Sequence, residues 1–164
     1  MSPADLRVEA LAVLMLCDPA AKVAAMHALH QRRDALRIDT DARLEPGGAL
    51  PGRPERPALL PALQVPQHPI GTREGRAALI HAIAHIEFNA INLALDAVWR
   101  FPGLPADYYR DWLRVADEEA RHFTLLCEHL RTLGGDGITV MTAQYVFTAH
   151  SEEYQRLLRA LDLA

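Results

Sequence analysis

Glu119 and His122 lie three residues apart in the stretch DEEARHF (117–123), within a segment whose apolar residues recur with helical periodicity. Positions i and i+3 share one face of a helix. A carboxylate and an imidazole are both common ligands of divalent metal ions. The spacing therefore forms an ExxH motif. Such a motif arises often by chance, and on its own a structural role explains it better than a ligand role.

A second carboxylate, Glu87, makes the motif more specific. At 100° per residue, Glu87 lies at the centre of one apolar helix face and Glu119 at the centre of another, with His122 at its edge. Buried charges are usually paired or bound to metal. We therefore predict that Glu87, Glu119 and His122 are metal ligands. Two alternatives are that the glutamates are protonated core acids, or that they pair with an arginine from elsewhere.

Each of the two predicted helices has an apolar face and, opposite it, a polar face. The apolar face of the first helix is formed by Ile80, Ile83, Ala84, Ile91, Ala94 and Val98, and that of the second by Tyr108, Trp112, Val115, Phe123, Leu126, Leu130 and Leu133. The opposite faces carry His81, His85, Asn89, Asn92 and Asp96 on the first helix, and Arg110, Arg114, Asp117, Arg121 and Glu128 on the second. We interpret His81 and His85 as surface or second-interface residues, and His27, His30 and His68 as incidental.

The short loop FPGLP predicts that the two glutamates meet. It ends the first helix, and Pro105 can open the next, so the helices should pack as an antiparallel hairpin. Glu87 lies sixteen residues before Gly103 and Glu119 sixteen after it, which places them level. Packed helix axes lie about 8–10 Å apart, which leaves room for an ion. Carboxylates can bridge two ions, so we expect a two-metal site for iron or manganese.

The remaining elements predict an all-α fold. Residues 1–40 should form N-terminal helices, with Asp18 as an N-cap and Pro19 at a first helical position. We assign 41–71 to a proline-rich strap or linker, 72–134 to the hairpin ending at a Gly-Gly pair, and 135–164 to a divergent tail with a short amphipathic helix. The leucines and valine of 41–71 favour a strap on the surface over a solvated linker.

Composition excludes several classes of protein. The chain has 164 residues, of which 50% are hydrophobic, and a net charge of −4, as expected for one domain with a core and no nucleic-acid surface. Cys17 and Cys127 form no CxxC pair, which favours a reducing cytoplasm. We expect neither a signal peptide nor a segment apolar enough to span a membrane.

Four stretches carry a resemblance to a known family: HAIAHIEFNAINLALDAVWRF, YYRDWLRVADEEARHFTLL, the lead-in PGRPERPALLPALQVPQHPIGTREGRAALIHA, and DPAAKVA. They resemble an uncharacterised bacterial family with a ferritin-like fold, domain-of-unknown-function family 455, over roughly 5–133. The resemblance implies a ferritin-like helical bundle with a di-metal site, and no established reaction. More distantly, the site pattern is similar to the tRNA-hydroxylating and rubrerythrin-like branches of the superfamily.

The resemblance also implies a second helix pair, with another glutamate and another carboxylate/histidine motif, beyond the hairpin. The chain departs from that pattern after Leu133, and His150, Glu152 and Glu153 have the wrong spacing for the motif. We therefore expect a truncated relative that carries half a site.

Three functions follow from half a site. In the first, two chains form a homodimer and share a two-metal site, which supports an oxidase or oxygenase reaction, or oxidation and storage of Fe(II). In the second, the chain is a non-catalytic remnant. In the third, the hairpin is an interaction module that binds another protein's helices. Self-association with metal distinguishes the first from the third.

Overall fold

The computed structural model describes residues 4–55 and 68–133. These residues form four α-helices and one short 3₁₀ helix: α1 (Leu6–Met15), α2 (Pro19–Gln31), the 3₁₀ helix (Arg33–Ala35), α3 (Arg73–Arg100) and α4 (Ala106–Thr132). Within the described ranges there is no β-strand, apart from a single bridge between Asp5 and Arg37. The all-α prediction is confirmed there, whereas the predicted glycine exit and the tail 135–164 lie outside the described residues.

Local capping interactions set the starts of the helices. The carboxylate of Asp18 accepts a hydrogen bond from the N–H of Ala21 at 2.7 Å, and Pro19 occupies the first turn of α2, as predicted. The hydroxyl of Thr72 accepts from the N–H of Gly75 at 2.9 Å and caps α3 in the same way. Each cap satisfies an N–H that the helix itself leaves without an acceptor.

The turn between α3 and α4 fixes the hairpin. Gly103 has a φ of +80°, a conformation that favours glycine, and its N–H donates to the carbonyl of Thr40 at 2.6 Å. The Tyr109 hydroxyl donates to the carbonyl of Phe101 at 2.8 Å and accepts from the N–H of Leu104 at 3.1 Å. The turn is therefore bonded to both its own helix and the N-terminal segment, and the predicted hairpin is confirmed.

The N-terminal helices cover one side of this hairpin. α1 packs mainly on α3, and α2 on α4. On the polar face of α3, His81, Asn92 and Asp96 are buried, at 7%, 5% and 0% exposure. This polar face of α3 is therefore not open to solvent: Lys22 of α2 contacts Asn92, and Asp96 pairs with Arg100 of α3 itself.

The buried face of α4 is also displaced from the predicted one. It comprises Tyr109, Leu113, Ala116, Asp117, Ala120, Cys127 and Leu130. Trp112, interpreted as a core residue, is 37% exposed, whereas Asp117, placed on the face opposite the apolar one, is 2% exposed. The packing of α2 against α4 accounts for the burial of Asp117, which contacts His27 and His30 of α2.

Arg7 is a buried cation that joins three parts of the chain. Its side chain is fully buried, and the guanidinium carbon lies 5.0 Å from the centre of the Tyr109 ring. It donates to the backbone carbonyls of Val98, Trp99, Asp39, Thr40 and Ala42. Carbonyls in the last turn of a helix carry partial negative charge and receive no hydrogen bond from an N–H of the same helix. Arg7 therefore caps the end of α3 and ties it to α1.

Lys22 is a second buried cation. Its ammonium donates to the carbonyls of Leu14 and Gly52, at 3.2 and 2.9 Å, and to Oδ1 of Asn92 at 2.5 Å. Burial lowers the pKa of Lys22 to about 7. Because each of its three donors has an acceptor, the geometry favours the charged form at neutral pH. Lys22 thus connects α2 with the end of α1 and the middle of α3.

The described part of the proline-rich segment lies on the protein as a strap. Gly52 donates its N–H to the carbonyl of Leu14, and a Cβ at this position would lie 2.1 Å from the Met15 carbonyl oxygen. Leu50 is buried in the core. Gly52 and Leu50 thus contact the rest of the protein, whereas 56–67 lie outside the described residues.

α3 differs from our expectation that no segment of the chain is apolar enough to span a membrane. By length and composition alone, it is long and apolar enough to cross a membrane, and it is the one such helix among the described residues. The core helix of a bundle satisfies the same criterion, and α3 packs against both α4 and α1. The apolar composition of α3 is explained by this packing on two sides.

Replacing Arg7 tests the importance of this buried cation. Arg7→Met should lower the free energy of unfolding by about 3 kcal/mol or more, since five carbonyls lose a charged donor. The matched control is Arg114→Met, because Arg114 is exposed and its ion pair among the described residues is with Asp111 of the same helix. Urea unfolding followed by circular dichroism measures both, and equal midpoints for the two variants would contradict the assignment.

Candidate metal centre

The structure brings together the three residues that the sequence predicts as ligands. Glu87 comes from α3, and Glu119 and His122 come from α4. One potential ligand atom of each lies within 4.8 Å of those of the other two. Nδ1 of His122 is 3.2 Å from Oε2 of Glu119 and 3.7 Å from Oε2 of Glu87. The level placement of the glutamates across the hairpin is confirmed, and their role as metal ligands stays a prediction.

The cluster is less buried than the sequence suggests. The side chains of Glu87 and Glu119 are each 22% exposed, and that of His122 is 56% exposed. The sequence led us to expect two buried glutamates, and both are only partly buried. The physical reason is that α1 and α2 pack on the opposite side of the hairpin, where they bury Asn92 and Asp117 instead.

The side chains around the cluster are apolar and partly open to solvent. We call the apolar residues at helical spacing around the two glutamates the open face: it comprises Leu79, Ile83, Ile86 and Ala90 on α3, with Val115 and Leu126 on α4. Ile86 is 53% exposed and Leu79 is 44% exposed. Ile83 and Val115, one helical turn before each glutamate, are half-buried. An apolar surface thus surrounds a group of ionisable side chains.

The electrostatics of the pair favour one proton held between the two glutamates. The pKa of Glu87 is raised to about 7, first by its hydrogen bond with Glu119, then by burial and by the charge of Glu119, and His122 opposes the shift. Two carboxylates in contact repel each other unless a cation stands between them. A divalent ion can take the place of that proton, so the donor set fits a metal. The residues present are therefore compatible with the iron or manganese that the sequence predicts.

A second polar cluster, not recognised in the sequence, joins α2 to α4. The Asp117 side chain is 3% exposed, and its Oδ1 lies 2.6 Å from Nδ1 of His27, while its Oδ2 lies 3.1 Å from Nδ1 of His30. Arg121 donates to the same Oδ2 at 2.6 Å. Burial lowers the pKa of His30, although the charge of Asp117 opposes this. The interpretation of His27 and His30 as incidental is wrong.

The other predicted histidines have different environments. His81 is buried, so of the two interpretations, a surface residue or a second-interface residue, the first is wrong, and burial lowers its pKa to about 4. His85 is half-buried on the same side of α3, and burial lowers its pKa too. His68 is exposed. By helical geometry, His81 and His85 both lie on the side of α3 away from Glu87.

The shared proton predicts how stability depends on pH in the chelator-treated protein. The folded protein holds the proton of Glu87 up to about pH 7, whereas the unfolded chain loses it near 4.5. Folding stability should therefore fall as pH rises between these values. Glu87→Gln removes this dependence and keeps a donor to Glu119, so above pH 7 it should be more stable than the wild type by about 1–2 kcal/mol. Urea unfolding at several pH values measures the effect. The exposed neighbour Glu118→Gln serves as control, and a wild-type curve that rises over the interval would refute the shared proton.

Comparison with other proteins identifies the family of the chain. No solved structure matches it. An uncharacterized protein of Haemophilus influenzae is 46% identical over 106 residues, which are 60% of this chain and 37% of that protein. The chain thus spans little more than a third of the length of the curated relative it matches. The sequence model described as "Protein of unknown function (DUF455)" matches residues 15–153, and so extends past Leu133, where we expected the resemblance to end. The chain belongs to this DUF455 family.

Proposed function

We propose that the protein is a ferritin-like carboxylate metalloprotein in which Glu87, Glu119 and His122 bind iron or manganese. The observation that carries the proposal is the convergence of three ligand atoms within 4.8 Å from two helices. The helical hairpin is consistent with one half of a ferritin-like bundle. A metal of this type supplies redox chemistry, so an oxidoreductase is the reaction class we favour.

The donor set supports this choice of metal. Two carboxylates and one imidazole combine hard oxygen ligands with a nitrogen ligand, as iron and manganese accept. Glu87 and Glu119 would hold the ion between the helices in place of their shared proton. His122 Nδ1 already faces both carboxylates, at 3.2 and 3.7 Å. The site therefore needs little rearrangement of α3 and α4 to bind an ion.

A second copy of the chain is the partner we favour for completing the site. A two-fold interface places the same patch of both chains in contact, so it would bring together two copies of Glu87, Glu119 and His122. The open face surrounds these residues and includes the exposed apolar side chains of Ile86 and Leu79. A dimer would bury this apolar area. We place this assembly in the cytoplasm, without a membrane or nucleic-acid partner.

The exposed apolar residues also favour a second candidate function. A hairpin whose open face carries Ile86 at 53% exposure can bind helices of a different protein. In that case the glutamates would be a remnant of a metal site, stabilised by protonation. Metal content and self-association separate this function from the first.

Metal titration tests the ligands. Chelator-treated protein titrated with Mn(II), followed by electron paramagnetic resonance, should bind about one ion per chain. Glu119→Ala should abolish binding, because it removes the carboxylate that contacts both Glu87 and His122. Glu118→Ala is the matched control, since the exposed Glu118 is adjacent in sequence and should leave binding unchanged. Equal binding by both variants, or none by the wild type, would contradict the proposal.

The dimer is tested by disrupting the open face. Ile86→Arg should convert a metal-bound dimer into a monomer and weaken metal binding by about tenfold or more, because a charge cannot be buried in that interface. Val8→Arg is the control, since Val8 is 49% exposed on α1, on the other side of the hairpin. Light scattering after gel filtration gives the mass. A wild-type protein that binds metal as a monomer refutes the shared site while leaving the ligands in place.

A further inference from the structure

We propose that Phe88 and Phe123 position the candidate metal centre, and that the buried ammonium of Lys22 holds this aromatic pair from the N-terminal side of the hairpin. This role rests on the proposed function, because it concerns how α3 and α4 present Glu87 and His122 to an ion. Three observations support it: the contact between the two rings, their level along the hairpin, and the contact of one ring with Lys22.

The aromatic pair joins the two helices next to the ligands. Phe88 follows Glu87 on α3, and Phe123 follows His122 on α4. The ring centroids lie 5.2 Å apart, with 48° between the ring planes, a separation at which aromatic rings attract each other. Phe88 is 6% exposed, and Phe123 is half-buried against the core. The contact thus fixes the rotation of both helices beside the residues that would bind an ion.

The rings meet at the level of the ligands along the hairpin. In the register that brings Glu87 level with Glu119, Phe88 lies one residue closer to the turn, and Phe123 lies four residues farther from it. Their backbones are therefore offset by about 7.5 Å along the helix axis, the rise of five residues. Because the ring centroids are closer than this offset, the side chains reach toward each other past the levels of the glutamates and of His122.

The exposure of the ligands makes the positions of the helices important. The side chain of Glu87 is 22% exposed and that of His122 is 56% exposed, so solvent surrounds much of each. A binding constellation has to be held within about 0.5 Å of its productive geometry. For exposed side chains on two different helices, this precision depends on how the helices are fixed against each other. A buried contact between neighbouring residues provides that constraint.

Lys22 holds the aromatic pair from the other side of the hairpin. Its Nζ lies 5.1 Å from the centroid of the Phe88 ring, within the distance of about 6 Å at which a cation is attracted to an aromatic face. The attraction is stronger for a desolvated cation, and Lys22 is fully buried. The carbonyls of Leu14 and Gly52 and the side chain of Asn92 fix the direction of the ammonium. Hydrogen bonds on the N-terminal side therefore determine where the Phe88 ring lies.

Core packing alone is the alternative role, and it predicts a different result. If the rings only fill the core, removing one lowers the free energy of unfolding and leaves the metal affinity of the folded protein unchanged. If they position the ligands, the affinity falls in protein that is still folded, because the ligands of one helix move relative to those of the other. Binding and folding measured on the same variants therefore separate the two roles.

Replacing the rings tests the positioning role. Chelator-treated Phe88→Leu and Phe123→Leu, shown to be folded by circular dichroism, are titrated with Mn(II) and followed by electron paramagnetic resonance. Each should bind about tenfold more weakly than the wild type, and the spectrum of the bound ion should change with its coordination geometry. The double variant should bind like either single one, because the rings act as a pair. Leu29→Ala is the matched control, since Leu29 is a buried core residue of α2 whose loss should lower stability without changing the affinity.

Replacing the buried cation extends the test to the N-terminal side. Lys22→Met keeps most of the side-chain volume and removes the charge, so it should weaken Mn(II) binding several-fold although Lys22 is not a ligand. Ring variants that bind Mn(II) as tightly as Leu29→Ala would overturn the positioning role and leave the proposed function intact. An unchanged affinity in Lys22→Met would overturn the role assigned to Lys22. A wild type that binds no Mn(II) would overturn the proposed function, and the positioning role with it.

Discussion

The register of α3 against α4 is the constraint on which the rest of the structure depends. It is set where the chain reverses around Gly103, whose N–H bonds to Thr40 and whose φ is positive. Tyr109 holds both sides of that turn, and Arg7 holds the last carbonyls of α3. A shift of one residue in α4 would turn Glu119 by about 100° away from Glu87. The candidate metal centre therefore depends on contacts at the far end of the hairpin.

The two long sides of α3 show that polarity and burial are different properties. On one side Asn92 is polar and buried, because α2 brings Lys22 to it at 2.5 Å. On the other side Ile86 is apolar and 53% exposed. Burial of a polar side chain is acceptable where hydrogen bonds replace water, and the N-terminal helices provide those bonds. Because α1 and α2 cover that side of the hairpin, the glutamates lie on the side that is exposed to solvent.

This difference explains which features could be predicted from the sequence. Asp18, Pro19 and the FPGLP loop act through local rules, so the start of α2 and the hairpin followed from the residues themselves. The meeting of Glu87 and Glu119 needed only the loop position and helix geometry. The contact of His27 with Asp117 could not be predicted, because it joins residues ninety positions apart through the packing of α2 on α4. Periodicity alone likewise could not show that α1 and α2 would bury the polar side of α3.

The arginines of α3 and α4 bear on whether the glutamates are structural acids or ligands. Each of these helices has a buried aspartate with an arginine four residues later: Asp96 pairs with Arg100, and Asp117 with Arg121, both at 2.6 Å. This spacing neutralises a buried acid within one helix. Four residues after Glu87 and Glu119, the chain has Ile91 and Phe123 in place of an arginine. The ionisable neighbours of the two glutamates are each other and His122. The same helices thus neutralise their structural carboxylates with arginine and leave these two to share a proton. A divalent ion provides the missing positive charge without an arginine, which is why we favour a ligand role for this pair.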